Sequence, residues 1–271
     1  MMRASLTRYS SGSSDFLRIL CEEAIQRTRR GYYDAEESWE PRSRASLVDS
    51  VLRCRGNAVI SELKRASPSE GVLAQGLEAR RAVIEMERGG AAGISVLTAP
   101  ERFGGDLSDL EAARRHVALP LLMKDIVVSR RQIEAAARLG ADAILLIYRA
   151  FERGYTELGL REAIAAAHDA GLEVLLEACN REELLECLGS DAEMIGVNAR
   201  DLSTLVVDKR VHEEAVEGLN LGDRILVAES GIEGAEDVRR LRRVGYRAFL
   251  VGTAIMRSGS IESKVRELVE A

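Results

Sequence analysis

Short apolar runs alternate with longer, mixed stretches from residue 58 to the end of the chain. The runs occupy 58–64, 92–97, 119–124, 142–147, 172–177, 194–198, 224–229 and 248–252. Each is nearly continuous in aliphatic residues, the pattern of parallel strands covered on the outside and packed on the inside. The stretches between them are rich in Ala, Leu, Glu and Arg, with polar starts and a glycine at the end, as in 129–140, 180–189 and 234–245. Ser129 and Asn180 are the predicted N-caps, and Gly140, Gly189 and Gly245 the predicted C-terminal stops.

Eight such strand–helix units predict an α/β fold of the (β/α)8 TIM barrel type over residues 58–271. An open doubly wound sheet usually has fewer strands and fits less well. Residues 1–57 stand outside the repeat. Within them 15–30 and 44–54 read as amphipathic helices, separated by a polar stretch containing Trp39 and Pro41. This N-terminal helical extension is expected to pack on the barrel, either covering its bottom or side or lying as a partial lid over the site; the pattern leaves both open.

Composition narrows the classes of function. At 271 residues, length alone suggests about two domains, a count that the repeat reduces to one barrel plus an extension. With 46% hydrophobic and 30% charged residues the chain can bury a sizeable core, which excludes disorder and fibrous repeats. A net charge of −6 and 4% aromatic residues offer neither a broad basic field nor stacking platforms for nucleic acid. Cys21, Cys54, Cys179 and Cys187 show no CxxC spacing, and His116, His168 and His212 are scattered, so neither a disulfide framework nor a metal site is expected. The first ten residues lack the apolar core of a secretory signal, and no apolar run approaches the roughly 18 residues of a membrane helix. A cytoplasmic protein with no membrane partner is the expectation.

In a parallel barrel the site lies at the C-terminal ends of the strands, so polar residues where an apolar run stops are the candidates. Glu62 and Lys64 end the first run, two apart and therefore on one side of the strand. Lys124, Glu177, Asn198, Glu229 and Ser230 end later runs, and Arg200 follows Asn198. A single charge in such a place is usually solvated or paired with a neighbour. Three cations and three carboxylates at one rim point instead to acid–base chemistry on an anionic substrate. Glycine turns after the seventh and eighth runs, E-S-G-I at 229–232 and V-G-T-A at 251–254, sit where such barrels hold phosphate. The bland alternative is that Gly231 and Gly252 merely make tight turns. No G-x-G-x-x-G or P-loop is present, so no nucleotide cofactor is indicated.

These residues resemble a known family. S-E-L-K-R-A-S-P-S-E-G (61–71) is similar to the strand-one signature of indole-3-glycerol phosphate synthase. S-V-L-T-A-P-E-R-F-G-G (95–105), L-L-M-K-D (121–125), I-G-V-N-A-R-D-L (195–202), V-A-E-S-G-I (227–232) and V-G-T-A-I-M-R (251–257) follow in the family's order. The resemblance spans residues 44–257. It implies a carbon–carbon lyase of tryptophan biosynthesis that closes 1-(2-carboxyphenylamino)-1-deoxyribulose 5-phosphate to indole-3-glycerol phosphate, with loss of carbon dioxide and water and with no cofactor. It implies Lys124 as general acid, Glu177 and Glu62 as proton acceptors, Lys64 as the holder of an anionic group, and Asn198 and Arg200 as orienting groups. Ser67, Phe103 and Glu229 would contact substrate, while Ser230, Gly231, Gly252 and Thr253 would bind phosphate. A desolvated Lys124 among other cations is expected to have a lowered pKa. The resemblance also raises association with other enzymes of the tryptophan pathway.

The chain departs from the family at four places. Ile126 stands where an aromatic commonly follows the Lys-Asp pair, leaving Phe103 as a stacking face. Ala178 and Cys179 replace a Val-His or similar pair, and Ala199 an Asn or Ser; Cys179 is expected to be a small filler rather than a nucleophile. These departures keep open a catalytically weakened paralogue that binds a phosphorylated ligand or partner. A sibling phosphoribosyl anthranilate isomerase is the other alternative, opposed by the Glu-x-Lys of strand one and by Lys124.

Overall fold

Eight parallel strands close into a barrel in strict chain order, each hydrogen-bonded to the next and the last to the first. The computed structural model describes residues 15–34, 45–74 and 76–271. The stretch with Trp39 and Pro41 lies outside the described residues. The barrel strands are β1 (Ala58–Leu63), β2 (Gly93–Leu97), β3 (Leu121–Lys124), β4 (Ala143–Ile147), β5 (Glu173–Ala178), β6 (Met194–Asn198), β7 (Ile225–Glu229) and β8 (Ala248–Val251). They match the apolar runs to within two residues at either end. β3 begins after Pro120, which has no N–H to give a ladder but whose carbonyl accepts the Ile94 N–H at 3.0 Å.

Alternation divides each strand between two cores. Ala58, Ile60, Leu122, Leu145, Leu175, Val227 and Leu250 fill the barrel interior. Val59, Ile94, Met123, Ile144, Leu176, Ile195 and Phe249 face outward to the surrounding helices. The runs are therefore apolar throughout because both faces are buried. Among the helices, Ser129 caps Arg130–Arg138 in a capping box with Gln132, and the Asn180 side chain accepts the Glu183 N–H at 2.8 Å to cap Arg181–Leu188. Gly140 and Gly245 adopt left-handed conformations at φ 84° and 111°. Gly189 ends its helix as expected, at φ −82°, a conformation open to any residue.

The two N-terminal helices take opposite ends of the barrel. Helix α1 (Phe16–Arg29) lies against the loops that follow the strands, packing Leu17, Leu20, Cys21 and Ala24 beside Ile126, Val128 and Ala150. Helix α2 (Leu47–Arg53) closes the other end, where Leu47 sits fully buried next to Gly93 and Pro120. The Glu173 carboxylate, at the start of β5, accepts the Leu47 and Val48 N–H groups at 2.8 and 3.0 Å. A negative charge there satisfies free donors at the start of α2 and complements its dipole. A short antiparallel hairpin, Ala66–Ser67 with Gly71–Val72, follows β1 and was not evident in the apolar pattern.

Candidate active site

A cavity of about 530 Å³ opens at the C-terminal ends of the strands. Its lining gathers Glu62, Lys64, Ser67, Phe103, Lys124, Glu177, Asn198, Arg200, Ser230, Gly231, Gly252 and Thr253, residues spread over nearly two hundred positions of sequence. Glu229, expected to touch substrate directly, is not on this surface. Its side chain is fully buried behind Lys124.

The buried charges converge on Lys124. Its Nζ lies 3.2 Å from Glu62 Oε2 and 3.2 Å from Glu229 Oε2, while Lys64 Nζ lies 2.7 Å from Glu62 Oε1. Glu62 therefore bridges two lysines, and Lys124 bridges two carboxylates. Glu177 hydrogen-bonds the Asn198 side chain and lies beside Glu229. Two glycines provide the room. A Cβ on Gly196 would collide with Glu229 Oε1, and one on Gly252 would collide with Glu62 Oε1. Gly252 has an ordinary φ of −119°, so the turn itself does not require glycine; the carboxylate above it does.

Electrostatics overturns one expectation. Burial disfavours the Lys124 ammonium, but the Glu62, Glu229 and Glu177 carboxylates outweigh it and hold the lysine above its ordinary range, not below. Each contact near 3.2 Å contributes on the order of 5 kcal/mol at an effective dielectric of about 20, against a desolvation cost of several kcal/mol. Lys124 touches carboxylates, and Lys64 reaches it only through the other oxygen of Glu62. Burial likewise opposes the Glu62 charge, yet Lys124 and Lys64 bring its carboxyl down to about 2. Glu177 shifts upward, because burial and the neighbouring Glu229 both favour its protonated form over the pull of Lys124. Burial also pushes Glu229 up, against Lys124. The site thus holds a charged lysine, a firmly ionised Glu62, and a Glu177–Glu229 pair that retains a proton unusually far up the pH scale.

The rest of the lining is of mixed character. Leu145, Ile147, Leu202, Leu250, Ile126 and Phe103 give it apolar surface. Ser230 and Gly231 both take left-handed conformations, at φ 64° and 70°. For a serine that conformation is uncommon, and it bends the chain sharply at the end of β7. Lys209, Arg257 and Lys264 also line the cavity and were not singled out in the sequence; Lys209 and Lys264 follow no apolar run and carry no motif, whereas Arg257 closes the V-G-T-A-I-M-R segment. Glu70, also missed, pairs across the mouth with Arg200 and Arg257. Cys179 is absent from the lining, and burial with the nearby Glu183 keeps its thiol protonated, as suits a filler.

Helix α1 lines none of this cavity but braces the loops that form it. Arg27 donates to Tyr33 and Asp125, each at 2.7 Å, and pairs with Glu101. The Phe16 N–H reaches Ser203 O at 3.0 Å, and Asp15 pairs with Arg153 at 2.5 Å. The expected alternatives of cap and lid are thus divided: α2 covers the bottom, and α1 supports the mouth from outside.

Closed barrel, buried lysine–carboxylate cluster and glycine turns after β7 and β8 together define the class, a (β/α)8 enzyme equipped for proton transfer on a phosphorylated substrate. The family model for indole-3-glycerol phosphate synthase matches residues 21–268, and the chain belongs to that family. Relatives named indole-3-glycerol phosphate synthase include one from Methanopyrus kandleri, 42% identical over 92% of this chain and 98% of the relative. Others are from Sulfurisphaera tokodaii, 43% identical over 79% and 82% of the two chains, and Campylobacter curvus, 36% identical over 93% and 100%. Among solved structures, thiamine phosphate pyrophosphorylase from Pyrococcus furiosus superposes with a TM-score of 0.57 at 19% identity, covering 80% of this chain and 95% of that one. At that identity the likeness concerns the barrel alone.

Proposed function

We propose that the chain converts 1-(2-carboxyphenylamino)-1-deoxyribulose 5-phosphate to indole-3-glycerol phosphate, carbon dioxide and water. The observation that carries this reading is the charged Lys124 held between Glu62 and Glu229 in a cavity whose lining combines apolar side chains with glycine-bearing turns after β7 and β8. The apolar lining suits the aromatic ring, and the Ser230, Gly231, Gly252 and Thr253 turns suit the phosphate.

As the ring carbon bearing the carboxylate attacks the ketone, Lys124 donates its proton to the oxygen. A raised pKa does not prevent this. The forming alkoxide is a stronger base than any amine, and the shift ensures that the lysine carries the proton beforehand. The carboxylate then lies on a carbon next to an iminium, which receives the electrons as carbon dioxide departs. Lys64 and Arg200 hold the carboxylate before it leaves, and Asn198 and Ser67 orient the substrate. Loss of the new hydroxyl as water needs an acid, and loss of the neighbouring C–H proton needs a base; the proton retained by the Glu177–Glu229 pair goes to the leaving hydroxyl, and the ionised Glu62 takes the C–H proton, which corrects the expectation of Glu177 as a proton acceptor. Phe103 gives the ring an aromatic face near Ile126. The setting that accompanies this reading is the cytoplasm, alongside other enzymes of the tryptophan pathway.

The test is direct. Purified protein given the carboxyphenylamino substrate produces indole fluorescence, and Lys124→Ala lowers turnover by about 10²- to 10⁴-fold while still binding substrate. Folded wild-type protein that yields no indole product, or a Lys124→Ala variant that keeps its rate, would sink the proposal.

A further inference from the structure

The hairpin after β1 places one carboxylate between two arginines of the cavity. Glu70 Oε1 lies 3.6 Å from Arg200 Nη2, and Oε2 lies 3.3 Å from Arg257 Nη2. The adjacent Ser69 hydroxyl accepts a hydrogen bond from Arg200 Nη1. Both ion pairs are longer than the 2.7–2.9 Å of a well-formed charge-assisted hydrogen bond. Neither Glu70 oxygen is donated to in good geometry, and Oε2, although buried, has no hydrogen-bond partner among the described residues. Glu70 thus neutralises Arg200 without satisfying it. A planar carboxylate facing the guanidinium edge would make two short, parallel bonds where Glu70 makes one loose contact.

Glu70 also differs from the other carboxylates of the site in its support. Glu62 and Glu229 are fixed on barrel strands, whereas Glu70 sits on a two-residue-stranded hairpin at the rim, next to the exposed Gly71 and Val72. Moving it disturbs no barrel ladder.

We propose that Glu70 is a built-in competitor for the substrate's carboxylate, pairing with Arg200 in the free enzyme and giving way when substrate binds. The inference rests on the reading of Arg200 as a carboxylate holder. It carries a consequence for turnover. The substrate's carboxylate leaves as carbon dioxide, so the product has nothing with which to hold Arg200, and Glu70 takes the guanidinium back. Substrate competes with Glu70 and product does not, which makes Glu70 a device that discriminates substrate from product at a single arginine.

The experiment measures dissociation constants for substrate and for indole-3-glycerol phosphate in a Lys124→Ala background, where substrate is not consumed. Glu70→Gln should tighten substrate by about three- to tenfold and leave product binding unchanged. Combined with Arg200→Ala, Glu70→Gln should lose its effect, because the coupling runs through that arginine. Equal tightening of substrate and product would mean a general field acting on the phosphate, and persistence of the effect without Arg200 would mean the same; either overturns the proposal. So does no change, or weaker substrate binding, in Glu70→Gln and in Glu70→Ala. Arg200→Ala alone separates the two levels of the argument. If it weakens substrate but not product, the reading of Arg200 stands whatever Glu70 does; if it weakens neither or both equally, that reading fails first.

Discussion

Arg27 of helix α1 donates to Asp125 at 2.7 Å, across 98 positions of sequence, and Asp125 is the chain neighbour of Lys124. The Asp125 carboxylate also accepts the Tyr33 hydroxyl at 2.8 Å and the Thr98 hydroxyl at 2.6 Å. An N-terminal segment outside the barrel repeat therefore fixes the turn that presents the central lysine of the site. Buried charge of this kind adds little net stability when complete but is costly to leave half-made.

Arg27→Met leaves Asp125 buried without its cation. The expected loss is about 3–5 kcal/mol in urea-unfolding free energy, with a fall in kcat larger than the change in KM, because the shifted turn carries Lys124. An unchanged unfolding midpoint would mean the pair supports nothing.

Gly196→Ala tests the space that Glu229 occupies. The added methyl meets Glu229 Oε1, so the carboxylate must swing away from Lys124. Turnover should drop at least about tenfold, with a stability loss of about 1–3 kcal/mol from overpacking. Gly189→Ala, at a helix end with ordinary φ, serves as the control and should keep both within a factor of about two.

Glu177 should be observable as a neutral acid. Its upward shift means that the protonated form persists above the usual carboxylate range and that the proton leaves only as pH rises further. Infrared spectra should contain a protonated-carboxyl band at near-neutral pH that disappears on raising the pH and is missing in Glu177→Gln. Finding that band only below pH about 4.5 would contradict the assignment.

His212 should make the fold acid-sensitive. Its Nε2 meets the Glu229 carbonyl at 3.0 Å, and burial brings its pKa from 6.5 to about 4. Between those values the unfolded chain binds a proton that the folded chain refuses, so stability falls as pH falls from 6.5 towards 4. The full loss is on the order of 3 kcal/mol. Chemical denaturation across that window should show the slope, and His212→Gln should flatten its upper part, above pH about 4.5, before carboxylates titrate. A slope unaltered in the variant would assign the effect elsewhere.

Much of the barrel was legible in the chain. Strands buried on both faces must be apolar at every position, so runs such as 142–147 and 194–198 announce themselves without alternation, and their number and spacing imply closure. The residues at which those runs stop are forced to the same end of the barrel by parallel order alone. That is why Glu62, Lys124, Glu177 and Asn198 could be named together before any distance was known, and why period two put Glu62 and Lys64 side by side.

What the chain could not express is which groups meet through space. Three cations named along the sequence suggested a lysine pushed towards neutrality; closure of the barrel instead surrounds Lys124 with carboxylates from β1, β5 and β7, and the sign of its shift reverses. Glycine at 196 reads as a break in a strand until Glu229 is seen filling its place. Helices α1 and α2 have similar amphipathic patterns, yet one braces the mouth and the other plugs the base, a choice made by partners such as Asp125 and Glu173 far along the chain. Local pattern determines elements and the end at which side chains emerge, because both follow from backbone periodicity and burial. Charge state, clearance and docking depend on distances between remote residues, and those exist only once the barrel has closed.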